Sequence, residues 1–173
     1  VPLMKFLNIF IMIVDGINEW IGKILSWMIV VLVLLTVIEV IARYFFNSPT
    51  IWNFEVTTQL YGFYFIMLIG YTLKHNGHVS VEIISSTFRP RTRAAISVLC
   101  YLVLFFPFCA IFIWQGVLFA SKSWGMMEHS QSAFSPPLYP IKTVLPIAAI
   151  LLGLQGLGLF FKKLYFLIKG SEL

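Results

Sequence analysis

The chain has 173 residues, of which 60% are hydrophobic and 11% charged, with a formal net charge of +5 and a mean hydropathy of +0.92. Soluble domains carry about 25% charged residues, so this composition fits an integral membrane protein instead. The basic residues flank apolar runs and do not form one stripe, which sets nucleic-acid binding aside.

The first element predicted is a helix over 4–23. At about 100° per residue, Lys5, Asn8, Asp15, Asn18, Glu19 and Lys23 fall within one arc of about 140°. Phe6, Leu7, Ile9, Phe10, Ile13, Ile17 and Ile21 occupy the opposite face. This pattern predicts an amphipathic helix lying in the headgroup plane, with Trp20 at a suitable depth. Lys5 and the apolar stretch to Val14 resemble the start of a signal peptide. No small-x-small cleavage pattern follows, so the segment is expected to be retained.

Four transmembrane helices are predicted next, over 24–46, 54–73, 94–121 and 139–161. Asn47-Ser48-Pro49 ends the first, since proline disfavours helix at the residue before it. The third has no charged residue in 28 positions, more than the ~20 needed to cross, and Pro107 is placed to kink it. In the fourth, Ala149, Gly153, Gly156 and Gly158 offer a small surface for close helix contact. Cys100 and Cys109 lie about 13 Å apart along the third helix and cannot pair; both are expected to be small buried hydrophobes. The spans are expected to hold almost no buried polar groups, and the whole chain to form one membrane domain, 1–173.

Orientation follows from charge. Lys5, Lys23, Lys74, Arg89, Arg91, Arg93, Lys162, Lys163 and Lys169 lie on one side of the predicted spans. Only Arg43, Lys122 and Lys142 lie on the other. Basic loops stay cytoplasmic, so both termini are expected inside.

Glu39 is the one carboxylate well inside a predicted span, and intramembrane acids are functional suspects. Two readings compete. One is a proton-coupled site in an autonomous four-helix exporter of small molecules. The other, favoured by depth and by the acid-first i,i+4 spacing, is a structural pair with Arg43 or with a neighbouring subunit. His75, His78 and His129 all sit in loops or at span ends, so no span interior offers a haem ligand. No metal or cofactor site and no enzyme chemistry is predicted. The loop over 122–137 carries Trp124, Met126, Met127, Glu128, His129 and Phe134, an amphipathic surface fit for a soluble partner.

Several segments together resemble a known family. Arg43-Tyr44-Phe45-Phe46-Asn47-Ser48-Pro49 precedes Trp52 and Glu55. Gly70 precedes Lys74-His75-Asn76-Gly77-His78-Val79-Ser80-Val81-Glu82. Ser130-Gln131-Ser132, Pro136-Pro137-Leu138-Tyr139 and Pro146 lead into the fourth span. The stretch from Glu39 to Leu154 resembles the DctQ-like small membrane subunit of tripartite ATP-independent periplasmic (TRAP) transporters. Gly70, Gly77, His78, Val81 and Glu82 carry much of that likeness. Glu82 stands where aspartate is usual, and Tyr139 where tryptophan is common.

The resemblance implies a bacterial inner-membrane complex with a large membrane subunit and a periplasmic substrate-binding protein. The large subunit is expected to hold the sodium ions and to move its carboxylate substrate, sialic acid or a C4-dicarboxylate, by an elevator mechanism. The small subunit would be its scaffold. Glu39, Arg43, Tyr44 and Glu55 are then candidates for the large-subunit interface or a structural pair. Trp52, Lys122, Trp124, Glu128 and His129 are candidates for docking the binding protein.

Overall fold

The computed structural model describes residues 2–75 and 90–169, with 2–6 as backbone alone. The described residues form four helices long and apolar enough to cross a membrane. They are α1 (Pro2–Tyr44), α2 (Asn53–Lys74), α3 (Pro90–Gly125) and α4 (Tyr139–Lys169).

The boundary expected between residues 23 and 24 is absent: α1 runs unbroken for 43 residues. Gly16 and Gly22 there lower helix stability by about 1 kcal/mol each without ending it. At 1.5 Å per residue α1 is roughly 64 Å long, about twice the hydrocarbon thickness of a bilayer. It ends where Asn47-Ser48-Pro49 predicted. Asn47 adopts the left-handed conformation (φ 49°), and the Ser48 amide donates to the Ala42 carbonyl at 3.0 Å. That is the geometry of a helix stop built on a left-handed residue.

α2 falters once, at Leu68, and resumes at Ile69. The described part of α3 starts at Pro90. It widens into a π turn over Tyr101–Phe105, in which the Phe106 amide reaches the Tyr101 carbonyl. Pro107 explains this widening, because its ring would clash with the carbonyl four residues back in a regular α turn.

α4 is the axis of the fold. It packs against α3 most extensively and also meets α1 and α2, and it is by far the most buried helix. Its small residues allow this. Ala148 and Ala149 are fully buried, and Gly156 lies so close to the Phe105 ring that a methyl group would overlap it. Gly158 faces Ile11 of α1. A small apolar cluster of Leu73, Cys109 and Leu152 ties three helices together, with Ile69, Phe105 and Leu159 packed around it. Both cysteines are free, but only Cys109 is buried; Cys100 is exposed on the outer surface of α3, because α4 covers a single face of that helix.

Candidate functional site

Side-chain chemistry concentrates at the two ends of the bundle. At the end holding the termini, the polar arc of α1 turns inward. Asp15 accepts a hydrogen bond from Gln155 Nε2 at 2.7 Å and pairs with Lys162 Nζ at 2.9 Å. Asn18 Nδ2 donates to Gln155 Oε1 at 2.7 Å and to the Val14 carbonyl at 3.1 Å. Glu19 pairs with Lys74 at 2.6 Å and His75 at 3.1 Å, and His75 packs at a tilt on the Tyr71 ring. Lys74 also donates to the Asp15 carbonyl at 3.1 Å.

This cluster departs from the sequence reading. The arc of Asp15, Asn18 and Glu19 does not face headgroups; it meets the basic and amide side chains of α2 and α4. The apolar face, with Ile9, Met12, Ile13, Ile17 and Trp20, is exposed. Buried polar side chains among the described residues are Asn18, Asn53, Ser123 and Gln155, and of these only Gln155 lies within a span as bounded from the sequence. The available signal was Gln155, a lone amide amid the apolar residues of the fourth span. A polar group buried among helices needs a partner on another helix, and Asn18 supplies it.

Gly70 belongs to this cluster. The Asn18 amide lies against it so closely that a β-carbon could not fit unless Asn18 moved. The other residues singled out with it, Gly77, His78, Val81 and Glu82, lie outside the described residues.

At the opposite end, Glu39 is held from several sides. Oε1 accepts from Arg43 Nη2 at 2.9 Å. Oε2 accepts from the Thr50 hydroxyl, from its amide at 3.3 Å and from Asn53 Nδ2 at 3.4 Å. Asn53 also donates to the Leu35 carbonyl at 2.9 Å. These bonds fix the α1–α2 connection. Arg43 and Tyr44 remain largely exposed, as do Phe45 and Phe46.

Glu55 lies in the first turn of α2. It reaches the connection between α3 and α4, where Ser130 Oγ donates to its Oε1 at 2.8 Å; its Oε2 is buried without a partner among the described residues. That connection closes on itself. The Ser130 amide donates to the Pro136 carbonyl and the Leu138 amide to the Glu128 carbonyl, each at 2.9 Å. Glu128 pairs with Lys142 and accepts from Ser123 Oγ at 2.8 Å. The Lys142 ammonium, then the Ser123 hydroxyl, hold its carboxyl below the usual glutamate range. Trp124 donates to Thr143 Oγ1 at 2.8 Å and packs on Tyr139, which His129 also meets. Of the predicted docking residues, Lys122, Trp124, Glu128 and His129 therefore share one rim with the exposed Met126, Met127 and Phe134. Trp52 stands on the other connection and is also exposed.

No group of three or more metal-ligating side chains occurs among the described residues. What the two ends have in common is bonding between helices, on an all-helical frame with four apolar spans. A family model described as "Tripartite ATP-independent periplasmic transporters, DctQ component" matches residues 32–165. The chain belongs to the DctQ family. No curated protein matches it.

The matched stretch of this DctQ component covers all of α2, α3 and the connections. It omits the portion of α1 that carries Asp15, Asn18 and Glu19, yet includes their partners Lys74, Gln155 and Lys162. A DctQ component is part of a transporter and its family is not one of enzymes. The four spans make this one a multi-pass membrane protein.

Proposed function

We propose that this chain braces the large membrane subunit of a sodium-driven TRAP transporter in the bacterial inner membrane, with both termini in the cytoplasm. The complex imports a carboxylate, with sialic acid the first candidate and a C4-dicarboxylate the second. The large subunit carries the sodium ions and the substrate. The observation that supports a brace is that the buried amides Asn18, Asn53 and Gln155 join one helix to another. Asp15, Asn18, Gln155 and Lys162 form one chain of bonds, and Glu39, Thr50 and Asn53 another. A transport path through the bundle calls for ionisable groups facing a cavity or relay. Glu39 fits such a relay poorly, since both its oxygens are engaged, and this counts against an autonomous exporter.

The exposed apolar faces of α1 and α3 are the surfaces available to the large subunit. The rim at 122–139, stiffened by its internal bonds, suits the periplasmic binding protein. Among the described residues Lys122 makes no ion pair, whereas Glu128 is committed to Lys142, so Lys122 is the better probe of docking.

Reconstitution in proteoliposomes tests the whole reading. Uptake of a carboxylate is expected only with the large subunit, the binding protein and a sodium gradient all present. Transport by this chain alone would overturn it. Lys122→Glu is expected to slow uptake at limiting binding protein, most at low salt, without changing thermal stability. Unchanged uptake under those conditions removes the rim from the docking site.

A further inference from the structure

A groove of about 710 Å³ runs between α1 and α2 in the half of the bundle that ends at Thr50. Its walls include Val33, Val37 and Val40 on one side and Phe54 and Tyr61 on the other, and Arg43 stands at its mouth. The threonines that line it offer a ligand little, because their hydroxyls are already bonded. Thr36 donates to the Leu32 carbonyl, Thr58 to the Phe54 carbonyl, and Thr57 to Asn53 Oδ1. What remains is largely apolar wall with the Glu39–Arg43 pair at one end, its exposed member the guanidinium.

That group is set for an anion. Glu39 takes a single Arg43 N–H, and the guanidinium stays 58% exposed. A guanidinium has five donors in a planar fork that matches a phosphate. Thr50 and Asn53 hold Glu39 in turn, so Arg43 is anchored by a carboxylate that is itself fixed. The lining extends along α1 from Arg43 down to Ile29, roughly 21 Å at 1.5 Å per residue. One leaflet of the hydrocarbon core is about 15 Å deep. The groove is therefore long enough for an acyl chain when Arg43 lies at headgroup level, where the exposed Tyr44 also belongs.

We infer that the α1–α2 groove is a binding site for one outer-leaflet phospholipid, with its phosphate on Arg43 and an acyl chain between the helices. A zwitterionic headgroup fits best. The Glu39–Arg43 pair is neutral overall, so a lipid whose own charges cancel adds no net charge to the site. The lipid would fill the gap between the two helices and stiffen the brace from within, a role separate from docking the binding protein.

The test is native mass spectrometry of the purified full chain, titrated with phosphatidylethanolamine, with phosphatidylglycerol and inorganic phosphate as separate arms. One tightly retained phosphatidylethanolamine is expected. Arg43→Ala is expected to weaken its retention by about tenfold or more, through loss of a charge-assisted contact. Arg43→Lys should retain part of the binding. Val37→Trp, which fills the groove and leaves Arg43 in place, should weaken retention as well. Gel filtration and helical circular dichroism of each variant verify folding. Equal retention by all variants overturns the site, as does binding of inorganic phosphate as tight as that of lipid. A photocrosslinker at Val37 in the assembled transporter gives a second reading. Capture of lipid supports the inference, and capture of the large subunit overturns it.

Discussion

Asn18 and Gln155 illustrate how much one amide pair decides in this chain. Both are fully buried, and each gives the other a partner where water has no access. Removing Gln155 takes the acceptor from one Asn18 N–H, and removing Asn18 takes the donor from Gln155 Oε1, a loss of about 1–3 kcal/mol for a buried polar atom left unpaired. Gln155→Leu is therefore expected to lower the melting temperature of the purified chain. Adding Asn18→Leu should cost less than the sum of the two single changes. Additive losses in that cycle would show that the pair is not coupled. Glu128 makes a different prediction at the same scale. Its folded carboxyl titrates below the usual glutamate range, so its stabilising effect is complete above about pH 4.3 and disappears as pH falls through the folded value. The melting-temperature gap between wild type and Glu128→Gln should be largest near neutrality and shrink as pH falls below the ordinary glutamate range. A gap that does not shrink with acidification would mean that the Lys142 pairing is not its source.

Among the elements, the sequence was most legible where backbone chemistry acts alone. Asn47-Ser48-Pro49 stopped α1 as its residue types require, and Pro107 disturbed α3 as proline must, although as a π turn. The small residues of α4 foretold the close contacts made by Gly156 and Gly158. The polar arc of α1 was legible as an arc, but its direction was not. Periodicity reveals that Asp15, Asn18 and Glu19 share a face; it cannot say whether that face meets water or a set of distant lysines and an amide. Lys74, Gln155 and Lys162 are 55 to 147 residues away from their partners in the chain. For the same reason the bond from Ser130 to Glu55, 75 residues apart in the chain, could not be read from the sequence. Gly70 links the two lessons. It stood out by resemblance, and the reason is now physical: α1 crosses α2 there with Asn18 against its Cα. Gly70→Ala is expected to destabilise the chain by about 1–3 kcal/mol, the usual effect of overpacking a tight contact. Asn18→Ala in the same chain should recover part of that loss by vacating the space. If Gly70→Ala melts like wild type, the crossing is looser than its geometry implies.

For the molecule as a whole, the distribution of charge is sharper than a count of basic residues suggests. At the end with the connections, Arg43, Lys122 and Lys142 are matched in number by Glu39, Glu55 and Glu128. The entire surplus of +5 therefore belongs to the end with the termini. Part of the basic set there also holds the fold together, because Lys74 and Lys162 fasten α1 through Glu19 and Asp15. Orientation and assembly thus draw on the same side chains. Basic residues resist translocation, so the Lys162 end should remain in the cytoplasm and the rim at 122–139 should face outward. Cysteine labelling decides this directly. In a background of Cys100→Ala and Cys109→Ala, Ser132→Cys should react with an impermeant maleimide on spheroplasts. Lys163→Cys should react only after the membrane is opened. The reverse pattern would place the rim inside, out of reach of any periplasmic protein, and the docking role would fall with it.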